Sequence, residues 1–138
     1  MALVRGTTIS LDGQGVLLRG PSGAGKSDVA LRLIDTGAVL VADDNTEVSV
    51  KGGEALTSPP DTVKGLLEVR GLGVLKFPFQ ADVPLALVID LVDREDVPRM
   101  PEKETTDIAG IPVKRLSLHA FDGSTPAKIR LALQQQTP

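Results

Sequence analysis

Residues 20–27 read GPSGAGKS, and this stretch limits what the chain can fold into more than any other. The spacing G-x-x-x-x-G-K-S follows an apolar segment at 16–18 and precedes a helical pattern, which is the context that a phosphate-binding loop requires. Such a loop wraps backbone N–H groups around a polyphosphate and enters a helix whose N-terminus favours negative charge. A fortuitous glycine-rich turn would not need either flank.

Each residue type in the loop has a separate task. The three glycines are expected because the backbone must adopt positive φ angles and approach an anion closely. The lysine can reach the β- and γ-phosphates as a point charge, and the serine hydroxyl can coordinate Mg²⁺. The residues predicted to hold a nucleotide are Gly20, Ser22, Gly23, Ala24, Gly25, Lys26 and Ser27.

Composition excludes several classes of function. The 138 residues suit one domain, 1–138, and 15 basic against 18 acidic residues give a formal charge of −3 without a basic stripe. This balance argues against nucleic acid as the main partner. The absence of cysteine rules out disulfides and thiolate zinc sites. No apolar run reaches the length of a membrane span and no signal peptide is evident, so we expect a cytoplasmic protein with no membrane partner.

The apolar pattern predicts an α/β fold. Two hairpins are expected, 7–11 with 15–19 and 46–50 with 54–57, each around a glycine-containing turn. Further strands are predicted at 39–42, 85–91 and 111–118, and 85–91 should be central because it is the longest apolar run.

Two helices are predicted, together with one long connection. The first helix starts at Ser27, with one apolar face, and Gly37 can end it through a left-handed cap. The second begins with Thr125 as N-cap and Pro126 as its first residue. Its predicted inward residues are Ile129, Leu131, Ala132 and Leu133. Residues 93–107 are rich in charge and indicate a solvated, mobile connection, and 134–138 should fray.

Asp43 and Asp44 end the apolar run 39–42. A magnesium ion beside a phosphate loop needs an acidic ligand, usually at the end of a neighbouring apolar strand, and Asp43 is placed for that. Asp44 would point to the other side in extended backbone and could accept a proton from an attacking hydroxyl. The alternative is that Asp43-Asp44-Asn45 is only a turn between strands.

A second group of candidates lies at 65–73. Glu68 and Arg70 would share one face of an extended segment, and Gly71 and Gly73 indicate a tight loop with exposed backbone. The pair can be a metal ligand and a phosphate clamp, or a surface ion pair of little energetic value. The residues alone leave both readings open.

Three blocks together resemble the catalytic domain of the HPr kinase/phosphorylase family. They read GVLL at 15–18, VLVADD at 39–44 and GLLEVRGLG at 65–73, and their order and approximate spacing match the family pattern. The third block is much more specific than the phosphate loop, because most phosphate-loop enzymes lack it. The resemblance covers about 7–118 and weakens after Leu91.

The resemblance implies an α/β phosphate-loop domain related to phosphoenolpyruvate carboxykinase, with a mixed sheet and flanking helices. It implies a bacterial enzyme, hexameric in its full-length members, that transfers the γ-phosphoryl of ATP to a serine of HPr. HPr is the small phosphocarrier of the sugar phosphotransferase system. In this family the reverse reaction uses inorganic phosphate and yields pyrophosphate.

The resemblance also implies a role for each matching residue. Lys26 would hold the phosphates, and Asp44 would take the serine proton in one direction and return it in the other. The implied metal ligands are Ser27 and Glu68, with Asp43 in support. The loop 67–76, which contains Arg70, Gly71 and Gly73, would shape both reactions. Arg99, in VPRM at 97–100, is similar to a catalytic arginine of the family.

Three features depart from the family pattern. The chain begins almost at the catalytic domain, as expected of a short form without the N-terminal domain. Arg5 stands where the family usually has a histidine. The sequence FDGSTP at 121–126 and one short helix replace a basic glycine-arginine loop and long C-terminal helices. The kinase direction is therefore the prediction, and the phosphorylase direction stays open.

We predict an ATP- and Mg²⁺-dependent HPr serine kinase. One alternative is a phosphate-loop kinase with another protein or a small metabolite as acceptor. A second is a regulatory module that binds nucleotide without turnover. A GTPase-like switch is disfavoured because the chain has no Asn-Lys-x-Asp motif.

Overall fold

The structure, a computed structural model, describes residues 1–134. Its helices are α1 (Lys26–Asp35) and α2 (Thr125–Gln134), and short 3-10 turns lie at Asp61–Val63 and Arg94–Asp96. Its strands are β1 (Ala2–Arg5), β2 (Thr7–Leu11), β3 (Gln14–Arg19), β4 (Val39–Ala42), β5 (Asn45–Lys51), β6 (Glu54–Ser58), β7 (Leu66–Val69), β8 (Gly73–Lys76), β9 (Val83–Leu91), β10 (Glu104–Ile108) and β11 (Ile111–Leu118). Of the predicted fraying at 134–138, Gln134 is helical as the last residue of α2, and 135–138 lie outside the described residues.

Strand β9 is the centre of a mixed sheet, as its apolar run predicted. The sheet runs in the order β1-β5-β6-β9-β3-β2-β4. Strand β3 pairs with β9 in parallel, and the β6 contact is antiparallel. Off this path, β11 pairs in parallel with the second half of β9, and β10 pairs with β11. The parallel pair β3 and β9 is what brings the phosphate loop, which follows β3, to the carboxyl edge of the sheet.

The two faces of the central strands fill two hydrophobic clusters, because successive side chains of a strand point to opposite faces. The larger cluster lies against α1 and α2 and includes Val16, Leu18, Val29, Leu33, Leu87, Ile89 and Ile129. The other contains Leu17, Val48, Val88, Ile108 and Val113. Helix α1 ends as predicted: Gly37 has φ of 114°, and its N–H donates to the Ile34 carbonyl over 3.1 Å.

Both predicted hairpins form, and two others, β7 with β8 and β10 with β11, were missed. Strands β7 and β8 pair as a separate two-stranded sheet, with residues 70–72 as the turn between them. Every residue of β8 is exposed, so no apolar alternation marked it as a strand. Strand β1, which pairs with β5, was also missed for want of such a pattern.

The prediction of a mobile connection at 93–107 is wrong at its end. Residues 104–108 form β10, in which Thr105 and Thr106 are β-branched and suit a strand. Pairing with β11 fixes this segment despite its charge, since an edge strand needs backbone partners more than apolar side chains.

The start and inner face of α2 also differ from the prediction. Thr125 lies within the helix, and its buried hydroxyl donates to the His119 carbonyl instead of capping the helix. Leu131 is 48% exposed, whereas Ile129 is fully buried. The error for Leu131 arose because two residues along a helix turn the side chain about 200° away.

Among residues 1–134, no helix is long and apolar enough to cross a membrane.

Candidate functional site

The phosphate loop joins β3 to α1 with the geometry that its sequence requires. Gly23 and Gly25 have φ of 84° and 99°, and Gly25 is the N-cap of α1. The Lys26 Nζ donates to the Gly20 carbonyl over 2.6 Å and to the Pro21 carbonyl over 3.2 Å. The ammonium therefore lies inside the loop, where it can contact a bound phosphate.

Gly20 is needed for a different reason from the one predicted. Its φ is not among the positive values, so the expected left-handed conformation is wrong for this glycine. A Cβ at this position would lie 2.9 Å from the Ala24 Cβ and 3.3 Å from the Leu91 carbonyl oxygen. Close approach of the loop to its own second half and to β9 excludes a side chain here.

The Asp43 carboxylate is fixed by three donors from three parts of the chain. Its Oδ1 accepts from the Thr7 hydroxyl over 2.9 Å and from the Ser27 hydroxyl over 3.3 Å. Its Oδ2 accepts from the Glu68 backbone N–H over 3.1 Å. This carboxylate thus joins the start of β2, the first turn of α1 and strand β7 at one point.

Asp44 follows directly, but in a strained turn. Its φ is 66°, and the Asn45 N–H donates to the Asp43 carbonyl over 2.7 Å, which is the pattern of a γ-turn. The expectation of extended backbone, with the two acids on opposite sides, is therefore wrong. The turn and the site are not alternatives here, because the turn is what brings both acids to one cavity. Backbone strain of this kind often marks functional positions.

A cavity of about 400 Å³ lies between the phosphate loop, the two acids and β7. Its described lining includes Ser22, Gly23, Gly25, Lys26, Ser27, Asp43, Asp44, Glu68 and Arg70. Nine predicted site residues are thus brought together from segments far apart in the chain. Their roles remain predictions.

The remaining predicted residues lie outside the cavity lining. Gly20 and Ala24 belong to the inner side of the loop. Gly71 and Gly73 have φ of 92° and 104° and shape the turn between β7 and β8. Arg99 is exposed and does not line the cavity. The structure therefore brings Glu68 and Arg70 to the site without Arg99.

Sequence reasoning did not assign several lining residues to the site, among them Thr7 and Phe121, and it underused Arg5. Thr7 was read only as the start of a strand, yet its hydroxyl positions Asp43 from 36 residues away. Phe121 also lines the cavity, and nothing in its local pattern marked it. Arg5, noted only as a departure from the family pattern, lies with one guanidinium nitrogen 3.9 Å from the Asp44 Oδ1. Gly6, which precedes Thr7, was the one signal in the sequence of an unusual backbone conformation at this point.

The donor set suits Mg²⁺ held jointly with phosphates. The Ser27 hydroxyl and the Asp43 carboxylate lie 3.3 Å apart and offer hard oxygen ligands. Within residues 1–134, no group of three or more acidic, histidine or cysteine side chains is arranged to hold a metal by itself. Magnesium commonly takes only one or two protein ligands together with substrate phosphates, so this arrangement fits that ion.

The comparisons with known proteins point in one direction. The sequence profile described as HPr Serine kinase C-terminal domain matches residues 1–134. Among curated proteins, the HPr kinase/phosphorylase of Burkholderia lata is 35% identical and that of Burkholderia cenocepacia 34% identical. Each alignment covers 99% of this chain but 46% of the relative, so the chain spans about half the length of these relatives.

A solved structure gives the same result at the level of the fold. The Hpr(Ser) kinase/phosphatase from Coxiella burnetii is similar with a TM-score of 0.85 and 25% sequence identity. The likeness covers 97% of this chain and 89% of the other. The predicted fold class, an α/β phosphate-loop domain with a mixed sheet and flanking helices, is confirmed.

Proposed function

Since the chain belongs to the HPr serine kinase C-terminal domain family, we propose that it is an ATP- and Mg²⁺-dependent serine kinase whose acceptor is the phosphocarrier HPr. The observation that carries the proposal is the single cavity shared by Lys26, Ser27, Asp43 and Asp44. A phosphate-binding loop and two acids with different surroundings are what phosphoryl transfer to a hydroxyl requires.

The loop and Lys26 would hold the phosphates of ATP. Backbone N–H groups at the start of α1 and the ammonium of Lys26 supply positive potential where negative charge spreads during transfer. Ser27 and Asp43 would hold Mg²⁺, with Glu68 beside them. When bound, the ion would neutralise charge on the phosphate oxygens. Most of the catalytic effect would come from positioning and charge, since the transition state is loose.

Asp44 would act as the base. Its carboxylate takes the proton of the serine hydroxyl while the serine oxygen bonds to the γ-phosphorus. The bond from that phosphorus to the β,γ-bridging oxygen breaks, and ADP leaves. Asp44 is suited to this because its side chain is 65% exposed, and its hydrogen bond from Asn45 Nδ2 is long at 3.5 Å. Arg99 would help from a segment outside the cavity, as the resemblance implies.

The reverse reaction, if the chain retains it, would use the same groups. An oxygen of inorganic phosphate would bond to the phosphorus of the phosphoserine, and the bond from that phosphorus to the serine oxygen would break. The protonated Asp44 would give its proton to the serine oxygen, and the pyrophosphate formed would dissociate. Release of pyrophosphate from phosphorylated HPr and inorganic phosphate would reveal it. A hexameric assembly and a cytoplasmic location belong to the same proposal, and light scattering of the purified chain tests the assembly.

The direct test is intact mass of HPr after incubation with the chain and Mg-ATP. We expect one added phosphate on HPr and none on an HPr whose acceptor serine is replaced by alanine. The variant Lys26→Ala should lose both nucleotide binding and transfer. If HPr stays unmodified while the chain binds ATP, the function is wrong and the acceptor must be sought elsewhere.

A further inference from the structure

Phe121 is an unusual side chain for its position. It is 57% exposed and lines the cavity of the phosphate loop. The chain contains three phenylalanines and no tryptophan or tyrosine. Among the described residues that line the cavity, Phe121 is the one aromatic side chain. An exposed apolar ring beside the charged groups of this cavity suits a ligand with an apolar face.

The ring lies directly against the phosphate loop. A Cβ placed on Gly25 would be 2.9 Å from the Phe121 Cζ and 2.6 Å from the Ala120 Cβ. Gly25 is the N-cap of α1, and the two residues after it, Lys26 and Ser27, are those predicted to contact the phosphates and Mg²⁺. Asp28, in the first turn of α1, also lines the cavity. The ring therefore borders the end of the phosphate site that is formed by the first turn of α1.

The backbone on both sides of Phe121 is held by α1. The Arg32 guanidinium donates to the Ala120 carbonyl and, over 3.3 Å, to the Asp122 carbonyl. Ala120 is buried. The ring itself meets the His119 ring edge to face, with 5.8 Å between centroids. Its position is thus set before any ligand arrives, and preorganisation of this kind favours binding.

Residues 119–122 are also held by contacts on their side away from α1. The Arg94 Nε donates to the Asp122 Oδ1 over 2.8 Å, and this hydrogen bond keeps the pKa of Asp122 below its ordinary range. The buried Thr125 hydroxyl donates to the His119 carbonyl, and His119 Nδ1 is 2.9 Å from the Val92 carbonyl oxygen. Residues 119–122 form a fixed support for one exposed ring.

We propose that Phe121 is the platform on which the base of the bound nucleotide stacks. The ligand class is a nucleoside triphosphate whose phosphates occupy the loop of residues 20–27. This inference rests on the proposed function for its ligand and adds a residue that binds the base. Every nucleobase has an apolar face, so a single ring gives affinity with little choice between bases.

The test compares ligands with and without a base. Calorimetry would measure Mg-ATP, Mg-GTP and Mg-tripolyphosphate binding to the wild-type chain, Phe121→Leu and Phe121→Trp. We expect Phe121→Leu to lower the affinity for Mg-ATP and Mg-GTP about tenfold and to leave the affinity for Mg-tripolyphosphate unchanged. Phe121→Trp should keep the affinity for both nucleotides. Phe79→Leu is the matched control, because Phe79 is also exposed, at 40%, but does not line this cavity.

The outcomes separate this inference from the kinase proposal. If Phe121→Leu lost equal affinity for ATP and for tripolyphosphate, with unchanged thermal unfolding, Phe121 would only support the phosphate loop. Retained ATP affinity in that variant would place the base elsewhere. Either result overturns the platform and leaves the kinase proposal intact. If Phe121→Leu lost affinity only for ligands with a base, and the wild-type chain did not phosphorylate HPr, the platform would be supported. The proposal that HPr is the acceptor would then be refuted.

Discussion

Asp43 and Asp44 are neighbours in the chain with very different surroundings. Asp43 receives three hydrogen bonds and cannot turn without breaking them. Asp44 is exposed and sits in a γ-turn, where its side chain has one long hydrogen bond from Asn45 and an exposed ion pair with Arg5 at 3.9 Å. A fixed carboxylate suits the support of a metal, and an exposed one suits contact with an incoming hydroxyl.

Asp44→Asn should reduce HPr phosphorylation by about 10²- to 10⁴-fold, because an amide cannot take the serine proton. Mg-ATP affinity should stay within about twofold, since Asp44 is not part of the loop. Single-turnover kinetics and calorimetry measure the two quantities. Asp35→Asn, an exposed change at the end of α1, is the control. Unchanged turnover in Asp44→Asn would remove this residue from the mechanism.

Arg5 offers a second test at this scale. Its contact with Asp44 is exposed on both sides, at 85% and 65%, so it should add little to stability. Its value would be a permanent positive charge beside the base.

We expect Arg5→His to make the rate depend on pH near 6.5. The histidine would be charged below that pH and would replace arginine, then lose its charge and activity as the pH rises. The ratio of variant to wild-type kcat/KM, measured from pH 5.5 to 8.5, reports this. Arg5→Lys should show no such step. A flat ratio for Arg5→His would mean that the charge at this position does not reach the reaction.

At the scale of elements, an ion network ties together the strand ends that carry the loop. Asp90 on β9 accepts from the Arg19 Nε at the end of β3 over 2.7 Å and from the Arg115 Nε on β11 over 2.5 Å. Glu104 on β10 also binds Arg115. Arg19 is the residue before Gly20, so this network fixes the point from which the phosphate loop leaves the sheet.

Asp90→Asn should lower the free energy of unfolding by about 2 kcal/mol at pH 7, because two half-buried guanidinium groups lose their shared carboxylate. Urea unfolding measures the change. Glu104→Gln is the control and should cost less than about 1 kcal/mol, since Glu104 is 56% exposed. Similar effects of the two changes would mean that the network is not centred on Asp90.

The stability difference between wild type and Asp90→Asn should also depend on pH. Burial alone would raise the pKa of Asp90, but hydrogen bonds from Arg19 and Arg115 hold it below its ordinary range. A lowered pKa means that the ion network stabilises the fold fully above about pH 4, the unfolded value, and progressively less below it. The stability difference between wild type and Asp90→Asn should therefore shrink as the pH falls below about 4. A difference that persists at lower pH would contradict this assignment.

At the scale of the whole molecule, ligand binding should couple to global unfolding. The site draws on β2, α1, the β4–β5 turn and β7, so a ligand there stabilises their joint arrangement. Mg-ATP at about 100 times its Kd should add about 2.7 kcal/mol, or roughly 10 °C in Tm for a domain of this size. Lys26→Ala should lose most of this shift in a thermal unfolding assay. A full shift in that variant would place the nucleotide outside the loop.

Local chemistry made much of the fold predictable. The glycine turns, the apolar run of β9 and the helix after GPSGAGKS depend on residues close in sequence, and each was predicted correctly. Strands β8 and β10 were not, because their side chains are mostly exposed and pairing alone makes them strands. Thr125 was misplaced for a similar reason: its hydroxyl found a carbonyl six residues away, which no capping pattern encodes.

The sequence by itself determined the phosphate loop, the acids after β4 and the family, because these depend on short spacings and on backbone conformations that only glycine tolerates easily. The tertiary structure alone decided that Thr7, Ser27 and the Glu68 amide all meet Asp43, at separations of 36, 16 and 25 residues. It also decided that Phe121 stands over Gly25. Such contacts arise from the packing of strands and helices against one another, and local periodicity carries no information about which distant residues that packing brings together.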